Sequence, residues 1–119
     1  MMKFGLLTAI LDGWNLEEVV EIASGMGFKC LEVACWPAGK AERRYAGVSH
    51  IDVARVLEDD AYASYVLDYF KKKNVEISSL AFYPNTMDPD LAKREAAIEH
   101  LKAVICASSK LGVGMVTTF

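Results

Sequence analysis

FGLLTAILDGWNLEEVVEIASGMGFKCLEVACW, residues 4–36, holds two changes of hydrophobic period, and those changes decide the fold. Phe4–Ile10 is a short, nearly continuous apolar run that ends at the turn residues Asp12 and Gly13, the pattern of a strand buried on both faces. From Asn15 the period lengthens. Leu16, Val19, Val20, Ala23 and Met26 fall on one helical face, and Glu17, Glu18 and Glu21 on the other. Asn15 is placed to cap this helix, with Glu17 and Glu18 in the first turn, where the helix dipole favours negative charge. Gly25 and Gly27 stop it, and Cys30–Trp36 is a second buried run, closed by Pro37.

The same alternation continues along the chain. Ala38–Ser49 has no clear period and reads as a long loop, Ile51–Leu57 as a short helix with Asp52 early in it, and Ala61–Lys73 as a longer helix ended by Asn74. Val75–Phe82 is a third strand, closed by Tyr83–Pro84–Asn85. Asp88 and Pro89 then predict a helix cap and first helical residue, with the helix running to about Leu111 and turning Leu91, Ile98, Leu101 and Ile105 inward. Gly112 supplies the C-terminal cap, and Val113–Phe119 is a fourth strand. Strands joined by crossover helices form parallel sheets, and near-continuous apolar strands require cover on both faces. The reading is therefore α/β, one domain over residues 1–119, with parallel strands near 3–10, 30–36, 75–82 and 113–119. A (β/α)8 barrel needs eight such units and typically about 250 residues, so these 119 residues match half of one.

Composition narrows the function. Hydrophobic residues make up 53% of the chain, enough for a packed core. Thirteen Lys and Arg against sixteen Asp and Glu give a net charge of −3, which lacks the basic footprint that nucleic acid selects. Cys30, Cys35 and Cys106 show no C-x-x-C spacing and read as reduced, small hydrophobes. No apolar stretch approaches the roughly 18–20 residues of a membrane span. A cytoplasmic protein is expected, with neither nucleic acid nor membrane as a partner.

In parallel α/β folds ligands bind at the carboxyl ends of the strands. The residues there are Asp12 and Trp14, Trp36 with the loop Lys40–His50, Phe82–Asn85, and Thr117–Phe119. Glu32 stands inside a buried strand, where an unpaired carboxylate is costly, so it requires a partner: a ligand site or a structural ion pair. Trp14 reads as a cover for the strand ends, with stacking on a sugar as the alternative, and His100 as solvated on the outer half of its helix. His50 lies at a helix start, where it either organises the cap or faces the site. Arg43 and Arg44 are placed to clamp a phosphate or simply to aid solubility. Dinucleotide-binding, Walker, nucleophile-elbow and H-E-x-x-H zinc motifs are absent from the sequence.

Several segments together resemble the sugar phosphate isomerases/epimerases of the xylose isomerase-like TIM barrel group. They are Lys3–Phe4–Gly5, Ala23–Ser24–Gly25–Met26–Gly27–Phe28, Leu31–Glu32–Val33, and Ile77 through Asn85. The loop Ala41–Gly47 leading to His50–Ile51–Asp52 resembles one branch of that group. The resemblance implies aldose–ketose isomerisation or epimerisation of a small sugar by a complete barrel. In such a barrel a divalent metal such as Mn or Mg is held on later strands, polarising the sugar while carboxylates move a proton. Carried over residue by residue, it marks Glu32, Trp36, His50, Tyr83 and Asn85 as substrate contacts and pocket wall, assigns no metal ligand or catalytic residue to this chain, and implies little isomerase activity for these residues alone. The alternative reading is a non-catalytic half-barrel that binds at most a small sugar-like ligand.

An open half-barrel leaves the first and fourth strands with free N–H and C=O groups. It also leaves an inner face, expected at residues such as Leu6, Val33 and Leu80 or their neighbours, without cover. A homodimer or higher homo-oligomer is the expectation.

Overall fold

In a computed structural model the described residues are 1–39 and 46–119. They form β1 (Gly5–Leu7), α1 (Leu16–Gly25), β2 (Cys30–Ala34), α2 (Val53–Glu58), α3 (Asp60–Lys72), β3 (Glu76–Ala81), α4 (Leu91–Lys110) and β4 (Val116–Thr117). The four strands make one sheet in the order β1-β2-β3-β4, every adjacent pair parallel, as the crossover pattern requires. The architecture is α/β and matches half of a TIM barrel. No described helix is long and apolar enough to cross a membrane.

Alternation along the strands separates two faces. Leu31 and Val33 of β2 and Leu80 of β3 are fully buried, in one core with Val19, Val20, Val56, Val66 and Val104 from the helices. Glu32 lies on the opposite face. Of the two phases the sequence left open for the inner surface, the structure takes the neighbours: Leu6, which pairs with Leu31, and Val33 and Leu80 belong to the helix-side core, and Leu7, Glu32 and Ser79 lie on the other face. A bulge sets the phase. Leu31 pairs with Ile77 and Glu32 with Ser79, which leaves Ser78 as the extra residue. The insertion lets Ile77 and Leu80, three positions apart, pair with the core-facing Leu31 and Val33 while Ser79 stays level with Glu32.

The strands are shorter than their apolar runs. β1 ends at Leu7 because Thr8–Ile10 turns into a 3-10 helix, and the buried Thr8 hydroxyl accepts from the Ala34 amide at 2.8 Å. β2 ends at Ala34, after which Cys35 forms an isolated antiparallel bridge with Ser49. β4 is confined to Val116–Thr117. Asn15 caps α1 as expected, and Glu18 returns the bond to complete a capping box. At α4 the cap is Asp90, not Asp88. The Asp90 carboxylate accepts from the Ala92 and Lys93 amides, and Asp88 holds the amide of Asp90 in the preceding turn.

The inward face of α4 also differs from the expectation. Val104, Ala107 and Ser108 are buried, whereas Leu91 and Ile105 are 63% and 51% exposed. Small residues let α4 lie close to its neighbours; Leu101 packs against the core as expected and Ile98 is half-buried, while Leu91 and Ile105 point away.

Candidate functional site

Three strand ends place the candidate site. Glu32 Oε1 on β2 accepts hydrogen bonds from Tyr83, just beyond β3, and from Thr117 Oγ1 on β4 at 2.7 Å. Tyr83 OH also lies 3.4 Å from Thr117 Oγ1. Both hydroxyls converge on one carboxylate oxygen, and Oε2 accepts no hydrogen bond among the described residues. The buried-strand carboxylate thus has the partners its position demands, and they are hydroxyls, not a Lys or Arg. Burial first, and then the bond to Glu32, push the Tyr83 phenol above its ordinary value, so Tyr83 remains a donor in the neutral range.

Aromatic rings hold this group. Trp36 packs edge-on against Tyr83 at 5.5 Å and against Phe82 at 5.7 Å. Phe119 lies over Tyr83 at 5.4 Å and is 90% exposed, an open apolar surface beside the carboxylate. Behind Trp36, His100 packs edge-on against Phe82 at 4.6 Å and donates from Nε2 to the Cys35 carbonyl at 2.7 Å. The expectation of a solvated His100 is therefore corrected. Its ring is half-buried and ties α4 to the backbone just before Trp36. Burial keeps the neighbouring Cys35 thiol protonated.

Of the five substrate contacts carried over by resemblance, Glu32, Trp36 and Tyr83 come together and two do not join them. His50 is buried, and both its ring nitrogens are engaged. Nε2 donates to the Leu11 carbonyl at 3.2 Å, and Nδ1 accepts from the Thr8 hydroxyl at 2.8 Å. A carbonyl can only accept, so Nε2 carries the proton. Asn85 is exposed, and its side chain accepts from the Met87 amide at 3.0 Å, closing a turn before α4. Thr117 and Phe119 complete the group. Their signal in the sequence was position alone, at the carboxyl end of the fourth apolar run.

Trp14 is not a core cover. It is 44% exposed, on the rim of a cleft of about 430 Å³ that it shares with Asp12, His50, Asp52, Arg55 and Tyr62. Arg43 and Arg44, read as a possible phosphate clamp, lie outside the described residues. Among the described residues no three His, Cys, Asp or Glu side chains converge to hold a metal ion. The Glu32 group offers one carboxylate and two hydroxyls and does not by itself fit the divalent metal that the resemblance implies.

No family model and no curated protein matches the sequence. Among solved structures the chain is similar to the probable 3-DHS dehydratase AsbF, involved in petrobactin synthesis, from Bacillus anthracis. The identity is 20% and the TM-score 0.62, over 99% of this chain and 38% of that one. That protein is a xylose isomerase-like TIM barrel enzyme, and the likeness shows that this chain shares the corresponding part of its fold.

Proposed function

We propose that the chain forms the first four strands of a (β/α)8 enzyme of the sugar phosphate isomerase/epimerase type and contributes a substrate-binding wall. The observation that carries this reading is the Glu32 carboxylate on the inner face of β2. Tyr83 and Thr117 fix its Oε1, while Oε2 accepts no hydrogen bond among the described residues and is placed to accept from a ligand hydroxyl. Phe119 and the rim of Trp36 offer apolar surface for the C–H face of a small sugar or similar polyhydroxylated compound. Isomerisation, epimerisation beside a carbonyl and dehydration of a β-hydroxy carbonyl compound all require removal of a proton next to the carbonyl. A carboxylate held in one orientation suits either binding the adjacent hydroxyl or steering that proton.

Titration of the chain with pentoses, hexoses and their phosphates, followed by saturation-transfer NMR, tests the assignment. Glu32→Gln and Tyr83→Ala are expected to reduce binding at least severalfold while the circular dichroism spectrum is retained. Equal binding by both variants and the parent overturns the site.

A further inference from the structure

The turn after β1 carries Trp14 and is held at both ends. At its start the Leu11 carbonyl accepts from His50 Nε2 at 3.2 Å and from the Trp14 amide at 3.4 Å. Gly13 follows in the left-handed region, at φ 84°, which glycine adopts at no steric cost. Asn15 closes the turn through its capping box with Glu18. Trp14 is thus 44% exposed on a backbone with little freedom left, and stacking a ligand on it requires little further ordering. The cleft it borders, about 430 Å³, has the size of a small-molecule site.

Hydrogen-bonding capacity in that cleft is mixed and largely unused. Among the described residues the Asp12 carboxylate accepts no hydrogen bond, and the Asn15 side-chain nitrogen and the Arg55 Nη groups donate none. The Tyr62 hydroxyl accepts from the Asp52 amide at 3.3 Å, and its own proton goes to no described residue. Each hydroxyl of a sugar both donates and accepts, so it can use Asp12 and these donors together. An anion such as phosphate would meet the carboxylates of Asp12, Glu17 and Asp52 against one guanidinium. A cation would leave the donors without acceptors, and Arg55 already covers the Tyr62 ring at 4.3 Å.

We propose that this cleft binds a neutral saccharide, its C–H face stacked on Trp14 and its hydroxyls held by Asp12, Arg55 and Tyr62. The cleft shares no lining residue with the Glu32 group, and its lining residues all lie between positions 12 and 62. It is a second site, independent of the Glu32 reading, and its described walls include neither edge strand.

The chain has two tryptophans, so two indole N–H resonances report separately on the cleft, through Trp14, and on the Glu32 group, through Trp36. Titration with glucose, xylose and cellobiose to high millimolar concentration is expected to shift the Trp14 indole and the Arg55 amide along one saturation curve. Asp12→Ala, a change at an exposed turn position, is expected to demand severalfold more sugar for the same shift. In Trp14→Ala the Arg55 amide is expected to demand about tenfold more. Sugars that leave the Trp14 indole and the Arg55 amide unmoved overturn the proposal, as does an Arg55 shift that neither substitution weakens. A shift that spermidine or inorganic phosphate produces and the sugars do not overturns it as well. Movement of the Trp36 indole alone supports the Glu32 site and overturns this one, whereas movement at Trp14 while Trp36 stays still supports the cleft and counts against the Glu32 site.

Discussion

At the scale of single residues, burial decides what each polar side chain is free to do. Thr8 accepts from the Ala34 amide and donates to His50 Nδ1, and His50 donates its Nε2–H to the Leu11 carbonyl, so the chain of bonds is complete. Thr8→Val leaves the buried Ala34 amide without its acceptor, and chemical denaturation is expected to show a loss of about 1–3 kcal/mol. Burial lowers the His50 pKa below the ordinary value of 6.5, outweighing the backbone bonds and the nearby Asp12 charge that favour protonation. The unfolded chain therefore binds more protons than the folded one in the window just below pH 6.5. The His50 contribution to stability is present above that pH and lost as pH falls through the window. Unfolding curves of the parent at pH 7.5 and 5.5 are expected to differ more than those of His50→Gln, and an equal pH dependence in both excludes this linkage. The His50 type was visible in the sequence, but its role was not, because its partners Thr8 and Leu11 lie some 40 positions away in the chain. Glu32 was legible for the opposite reason: a carboxylate inside an apolar strand announces that something must pair with it.

At the scale of elements, the legible features are those that a local rule fixes. Asn15 with Glu18 three residues later is a capping box whether or not the rest of the chain is known. The start of α4 offered two aspartates and a proline, and local pattern favoured Asp88 with Pro89 next. The structure uses Asp90, because Asp88 is occupied in holding the Asp90 amide. Asp90→Ala is expected to cost about 1 kcal/mol and Asp88→Ala less, both read from thermal or chemical unfolding, and the reverse order contradicts this cap. The α4 face was partly misread: Leu101 packs on the core as its pattern suggests, but the buried stripe continues through the small Ala107 and the polar Ser108, while Leu91 and Ile105 carry much of the hydrophobic signal and point outward. Close approach of β1 and β2 is also set by a small residue. A Cβ on Gly5 would stand 2.7 Å from Cys30 Sγ and 2.8 Å from the Cys30 carbonyl oxygen. Gly5→Ala is expected to destabilise by about 1–3 kcal/mol. Cys30→Ala in the same chain is expected to recover only part of that loss, because the carbonyl contact is backbone and remains.

For the whole molecule, order and direction of strands followed from the alternation of periods, since helical crossovers leave parallel neighbours as the only economical arrangement. Which face of the sheet is the core did not follow, because the apolar strands read as buried on both sides and the bulge between Leu31 and Glu32 resets the phase of β3. The resulting sheet is uneven in strength. β2 and β3 have a paired strand on each side and lie under the helices, whereas β1 has three residues, β4 two, and each has one paired side. Stability against opening should follow that order, since local exchange is governed by how many packed and bonded neighbours must be lost. In native-state hydrogen exchange, the amides of Val33, Ala34 and Leu80 are expected to exchange only through global unfolding, and that of Val116 through local opening. Protection at Val116 equal to that of Val33 in dilute monomer would show that the edge strand is as firmly held as the centre, against the argument from pairing.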